Sequence, residues 1–128
     1  LFVVALASTE RAAVRVQLPF ALSEDSEPEP DLAVVPWGDY RSEHPSKAHL
    51  IIEVADSSLG FDRDEKAVAY ARAGVPECWV VDVQASEVLV MRDPDAMGYR
   101  TILRMRDQQP FAPAVFADVL VTTASITG

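Results

Sequence analysis

The sequence is poor in cysteine and in basic residues. Its 128 residues include one cysteine, Cys78, so no disulfide can form within the chain and no cysteine-rich metal site can be built. The chain has 11 Lys and Arg against 20 Asp and Glu, which gives a formal net charge of −9 at pH 7. A domain with this charge does not attract nucleic acid through its overall field. Any contact with DNA would therefore have to be local or use a bound cation.

Long apolar runs are also lacking. No segment approaches the roughly 18 apolar residues that span a bilayer, and the opening segment has no basic stretch typical of a signal peptide. We therefore expect a cytoplasmic protein without membrane association. The chain starts at Leu1, and its first residues (LFVVALA) are typical of an element already under way, so we expect that an N-terminal segment is missing. The length predicts a single domain over residues 1–128.

Hydrophobic patterning predicts an α/β (α+β) fold in which a mixed β-sheet is flanked by helices. Asp62 is the expected helix cap, and Gly74 suits the left-handed residue after the helix. The apolar tail, residues 111–126, is expected to close the sheet or to join a partner chain. The expected order of elements is the end of a helix (1–13), strands at 14–18, 32–35 and 49–54, a helix from 62 to 73, a strand at 78–83, and a hairpin of strands 87–92 and 99–105.

The strands at 32–35 and 49–54 bring two acidic residues together. If they pair antiparallel with Ala33 opposite Ile51, then Asp31 lies opposite Glu53. Directly opposed residues share a face, with Cβ atoms about 5 Å apart. The same register places His49 opposite Val35 and on the face of the two acids. The alternation thus predicts a pair of carboxylates at one end of the sheet.

Two carboxylates this close repel each other unless a cation lies between them or one is protonated. Oxygen ligands of this kind suit Mg²⁺ or Mn²⁺, and the backbone carbonyl of Val54 could add a third ligand. The alternative from spacing alone is that Asp31 only begins a strand and Glu53 forms a salt bridge. Both interpretations stay open at this point.

Lys66 lies in the predicted helix that follows the strand of Glu53. Asp62, Lys66 and Tyr70 have i, i+4, i+8 spacing and share one helix face. An ammonium group there could reach the carboxylates, orient an attacking water and stabilise charge that develops on a phosphate. The alternative is a surface ion pair between Asp62 and Lys66, worth only about 0.3–0.5 kcal/mol.

Several motifs resemble a known family when they are taken in order. The runs SEPEPDLAVV, HLIIEVADSSLGFDRDEK and AYARAGVPECWVVDV, with MRDP after them, are similar to a bacterial restriction endonuclease-like family that is abundant in cyanobacteria. That family belongs to the PD-(D/E)xK nuclease superfamily. The resemblance covers roughly residues 14–100 and implies a sheet core with the active site at one edge.

The resemblance also implies roles for individual residues. Asp31 matches the family's Asp in the Pro-Asp motif, Glu53 matches the acidic residue on the next strand, and Lys66 matches a lysine carried by the following helix. Ala55 stands where the superfamily usually has its lysine. The superfamily's acidic residue on the first helix would lie upstream of this sequence.

The expected function is a Mg²⁺-dependent DNA endonuclease, with Mn²⁺ as the other possible ion. Asp31, Glu53 and Lys66 would be the catalytic residues, and Asp31, Glu53 and the Val54 carbonyl the metal ligands. We expect a homodimer or a higher homo-oligomer, because cutting two strands usually requires two sites. Two alternatives stay open: a catalytically silent domain for binding or oligomerisation, and a metal-dependent hydrolase of small phosphodiesters.

Overall fold

The computed structural model describes residues 12–16, 30–36, 47–55, 60–106, 109–114, 116 and 119–123. For residues 12–16, 55 and 60–64 the description is of the backbone alone. In this part of the chain, no helix is long and apolar enough to cross a membrane.

One mixed sheet organises the described residues. Its six strands follow one another in space in the order in which they occur along the chain. All neighbouring strands are antiparallel except β3 and β4, which are parallel because helix α1 connects them. The elements are β1 (Ala12–Val16), β2 (Leu32–Pro36), β3 (Leu50–Ala55), α1 (Gly60–Arg72), β4 (Glu77–Asp82), β5 (Glu87–Asp95) and β6 (Gly98–Met105).

Helix α1 covers one face of the sheet, which we call the α1 face. Tyr70 and Ala67 of the helix pack there against Ile51, Cys78 and Val80 of the central strands. Side chains alternate between the two faces of a strand, so every second residue of β3 and β4 points towards α1. The α1 face is therefore apolar at its centre, and the two acids lie at its margin.

The tail packs on the opposite face of the sheet. Phe111 and Phe116 are buried against the central strands, and the Phe111 ring meets the Trp79 ring edge-on at 5.0 Å between centroids. The tail therefore contributes to its own chain's core, although none of its described residues forms a strand of the six-stranded sheet. Of the tail's large apolar side chains that the structure describes, four are buried within the chain and Leu120 is exposed; the buried four are Phe111, Phe116, Val119 and Val121.

The expected mixed sheet flanked by a helix is confirmed, and most element boundaries agree within a few residues. The first strand begins at Ala12, so the helix expected over 1–13 is wrong at its C-terminal end, and residues 1–11 lie outside the described residues. The helix begins at Gly60, which places Asp62 inside it and not at its cap. Gly74 follows the helix with φ of +83°, the left-handed conformation that favours glycine.

Candidate active site

The pairing of β2 with β3 has the expected register. Ala33 lies opposite Ile51 and Leu32 lies opposite Ile52, and the pairing ends there because β2 begins at Leu32. Ala33 and Ile51 belong to the core beneath α1, and Glu53, two residues beyond Ile51 in β3, lies on that same face, while Asp31 directly precedes β2. The expected pairing of Ala33 with Ile51 is confirmed, and the Asp31 side chain reaches the backbone of the residue that follows Glu53.

Backbone hydrogen bonding fixes the position of Asp31. Its Oδ2 atom accepts a hydrogen bond of 2.7 Å from the backbone N–H of Val54, in the neighbouring strand. The N–H and C=O groups of one strand residue point to the same side of the strand. The Val54 carbonyl therefore faces the side on which Asp31 lies, next to the carboxylate pair.

Glu53 is both buried and hydrogen-bonded. Its side chain is buried, at 8% exposure, and its Oε1 atom accepts a hydrogen bond of 2.7 Å from the hydroxyl of Tyr70. Burial raises the pKa of Glu53 above the usual carboxyl range, because the charged form loses its hydration. The Tyr70 hydrogen bond and the Lys66 ammonium act against this shift, while the nearby Asp31 carboxylate adds to it.

Helix α1 supplies Lys66 and Tyr70 from successive turns. Residues four apart lie on the same helix face, so both side chains come to the margin of the sheet where Glu53 lies. The positive charge of Lys66 lowers the pKa of Glu53, which acts against the effect of burial. The side chain of Asp62, the alternative partner of Lys66, lies outside the described side chains.

Tyr70 is the residue of this site to which the sequence interpretation gave no role. Its i, i+4 spacing from Lys66 was visible, but a tyrosine at a helical core position more often serves packing alone. Burial, with the adjacent Glu53 carboxylate, raises the pKa of the Tyr70 phenol. Tyr70 therefore keeps its proton at ordinary pH and acts as a hydrogen-bond donor to Glu53.

The oxygen donors of this site fit a hard divalent cation. Two carboxylates and a backbone carbonyl are the ligand types that Mg²⁺ takes, and Mg²⁺ usually keeps several waters beside one or two carboxylates. Asp31 Oδ2 and Glu53 Oε1 accept the hydrogen bonds from Val54 and Tyr70, and the two carboxyl side chains also interact with each other. Among the described residues, no group of three or more His, Cys, Asp and Glu side chains is placed to hold a metal. The pair would thus bind a metal with water filling most positions.

His49 lies away from this site, contrary to the expected alternation. Its backbone N–H donates to the Val34 carbonyl at 2.7 Å, and its ring meets the edge of the Phe116 ring, which belongs to the tail face. The reason is that β3 begins only at Leu50, so the strand alternation does not extend back to His49.

Cys78 is buried in β4, and burial raises the pKa of its thiol, which is then neutral and inert.

Comparison with known proteins identifies a family and a related fold. A family model described as "Uma2: Putative restriction endonuclease" matches residues 2–124. A crystal structure from Anabaena variabilis ATCC 29413, described as "a putative nuclease belonging to DUF820", superposes with a TM-score of 0.74 at 15% sequence identity, over 98% of this chain and 74% of that one. At this identity the likeness shows the shared fold. No curated protein matches the chain.

Proposed function

Because the chain belongs to the family described as "Uma2: Putative restriction endonuclease", we propose that it is a Mg²⁺-dependent DNA endonuclease. One observation carries this proposal. The buried Glu53 carboxylate accepts a hydrogen bond from Tyr70 of α1, and the charges of Asp31 and Lys66 act on its pKa in opposite directions. Two acids and a lysine that meet at a sheet margin are suited to phosphodiester hydrolysis.

The proposed ligands are Asp31, Glu53 and the Val54 carbonyl, with Mn²⁺ as a substitute for Mg²⁺. The bound ion would supply Lewis-acid polarisation of a phosphoryl oxygen and a lowered pKa for water. In the reaction, water adds to phosphorus, the bond from phosphorus to one nucleoside oxygen breaks, and that oxygen takes up a proton. Lys66 orients the attacking water and stabilises the charge that develops on the phosphoryl oxygens. Tyr70 keeps Glu53 ionised and correctly oriented through its 2.7 Å hydrogen bond.

The test is Mg²⁺-dependent nicking of a supercoiled plasmid by the protein and by Lys66→Ala. Removal of one group that stabilises transition-state charge typically costs about 10²-fold or more in kcat, so we expect a loss of this size. Lys47→Ala is the matched control, because Lys47 is exposed and precedes the opposite end of β3 from Glu53. A chelator should abolish nicking. Equal activity in Lys66→Ala and the wild type, or no activity with any divalent ion, would contradict the proposal.

The charge of −9 favours one second candidate, a metal-dependent hydrolase of small phosphodiesters, which needs no surface for DNA. Turnover of a chromogenic phosphodiester without any cleavage of DNA would support it. A catalytically silent binding domain is less well supported, because such a domain has no reason to keep both acids and the lysine together. A tight protein partner combined with no heat of metal binding would favour that alternative.

We also propose that the protein acts as a homodimer or a higher homo-oligomer. The support is functional: one domain carries one such site, and cutting both strands of a duplex requires two. The buried tail residues Phe111 and Phe116 do not support an interface at the tail. Sedimentation that shows a monomer at micromolar concentration would remove this part of the proposal.

A further inference from the structure

A row of directly paired residues crosses the sheet from Glu53 to its last strand. Glu53 lies opposite Val80 of β4, Val80 opposite Leu89 of β5, and Leu89 opposite Arg104 of β6. Opposed residues share a face, so Arg104 is on the α1 face and level with Glu53. With strands about 4.8 Å apart, three steps separate the two residues by about 14 Å.

A second arginine lies beside Arg104. Arg106 follows the end of β6, two residues beyond Arg104. Glu87, at the start of β5, accepts hydrogen bonds from Arg104 Nη1 at 3.3 Å and from Arg106 Nε at 2.6 Å. The side chains of Arg104 and Arg106 are 61% and 55% exposed, whereas Glu87 is buried. One buried carboxylate thus holds two exposed guanidinium groups, and these three side chains together carry one positive charge. Asp82, opposite Glu87 in β4, accepts instead from the backbone N–H of Ala85.

This arrangement is suited to binding phosphate. Each guanidinium has five N–H donors in a planar fork that matches phosphate oxygens, and the described contacts with Glu87 use one donor of each arginine. Because Glu87 restricts both side chains, less rotamer freedom is lost when they bind a ligand. The two groups also lie at the sheet end where β3 finishes, since Ala55, Asp82 and Glu87 are successive partners there.

We propose that Arg104 and Arg106, held by Glu87, bind the phosphate backbone of the nucleic acid at a position a few nucleotides from the bond that is cleaved. We call this pair the arginine anchor. The inference rests on the proposed function, because it assigns the substrate of the same site to the polynucleotides. It also answers the difficulty raised by the −9 charge, since a local anchor needs no basic field over the whole molecule.

The salt dependence of binding measures such contacts. Each phosphate contact with B-DNA contributes about 0.9 to the slope of log affinity against log salt concentration. Two contacts contribute about 1.8 to this slope. Their contribution to the affinity is therefore roughly 60-fold larger at about 0.1 M salt than at about 1 M salt. Loss of the anchor should therefore weaken binding at low salt and change little at high salt.

The experiment measures binding of a labelled duplex DNA by fluorescence anisotropy between about 50 and about 200 mM salt, with Ca²⁺ as the divalent ion. Arg104→Ala/Arg106→Ala should reduce the slope by about 0.9 to 1.8. The matched control is Arg100→Ala, on the same strand and 76% exposed but at the hairpin end, where it should leave the slope unchanged. Removal of both arginines leaves the buried Glu87 carboxylate without its cationic partners, which could destabilise the fold. The second variant, Glu87→Gln/Arg104→Gln/Arg106→Gln, removes that carboxylate as well and so tests the anchor without an unpaired buried charge.

Turnover of a chromogenic phosphodiester with Mg²⁺ separates this inference from the proposed chemistry. The anchor variants should hydrolyse this small substrate as fast as the wild type while their KM for DNA rises. An unchanged slope in both anchor variants, an equal drop in Arg100→Ala, or a wild type that binds no DNA would overturn the anchor, whatever the hydrolysis shows. A wild type that hydrolyses no phosphodiester but shows the expected drop would support the anchor and overturn the proposed reaction.

Discussion

Replacement of Tyr70 with Phe tests the site at a single atom. The hydroxyl donates to Glu53 Oε1 at 2.7 Å, and the ring is buried beneath the helix. Phenylalanine keeps the ring and its packing but removes the hydrogen bond. Because that bond lowers the pKa of Glu53, its loss should raise this pKa further above the usual carboxyl range.

The size of the effect follows from the charge of the acceptor. A hydrogen bond to a charged group contributes about 1.5–3 kcal/mol, and one pKa unit corresponds to 1.36 kcal/mol. If the bond forms only with ionised Glu53, its removal raises the pKa of Glu53 by about 1 to 2 units. Metal binding requires the ionised carboxylate, so activity should be lost below the new pKa and retained above it.

The measurement is kcat/KM for a phosphodiester with Mg²⁺ as a function of pH. The acid limb of the Tyr70→Phe profile should move upwards by about 1 to 2 units, with a plateau close to that of the wild type. Tyr99→Phe is the matched control, because the Tyr99 hydroxyl also donates at 2.7 Å, but to the neutral carbonyl of Val75. An unmoved acid limb, or the same displacement in Tyr99→Phe, would refute the role of Tyr70 as the group that keeps Glu53 ionised.

The sheet was predictable because its strands carry strong local signals. The alternation of apolar and polar residues predicts the pairing of Ala33 with Ile51, which the structure shows. A slip of one residue would have placed Glu53 opposite an apolar residue. Gly74 predicted the end of the helix, and the structure shows it in the left-handed conformation that ends helices. The start of the helix was less clear, because Asp62 is a good capping residue that the structure places inside the first turns.

The site was predictable only in part, because a sequence pattern does not show how deeply a side chain is buried or which group it contacts. The register predicts that Asp31 and Glu53 are neighbours, but not that Glu53 is buried or that Tyr70 donates to it. The alignment of Glu53 and Arg104 in one row across the sheet was harder still to predict. It depends on three successive registers, across β4, β5 and β6, that no single segment of the sequence contains.

Three further predictions concern stability and reactivity. The Cys78 thiol, buried and with a raised pKa, should react with an alkylating agent only after unfolding in urea; rapid labelling of the native protein would contradict its burial. Glu77→Gln should lower the free energy of unfolding by about 3 kcal/mol or more in urea titrations, because buried Glu77 accepts from Arg92 and Trp79; a loss below about 1 kcal/mol would be inconsistent with this network. The third prediction uses Glu53→Gln in the presence of a chelator. The pKa of Glu53 is raised in the folded state, so its contribution to stability is fully present below the unfolded value of 4.5 and is lost as pH rises through the folded value. Glutamine cannot ionise, so the stability of Glu53→Gln relative to the wild type should increase with pH across this window. Parallel curves for the two proteins would show that ionised Glu53 is not destabilising, and the argument for a cation between the two acids would lose its physical basis.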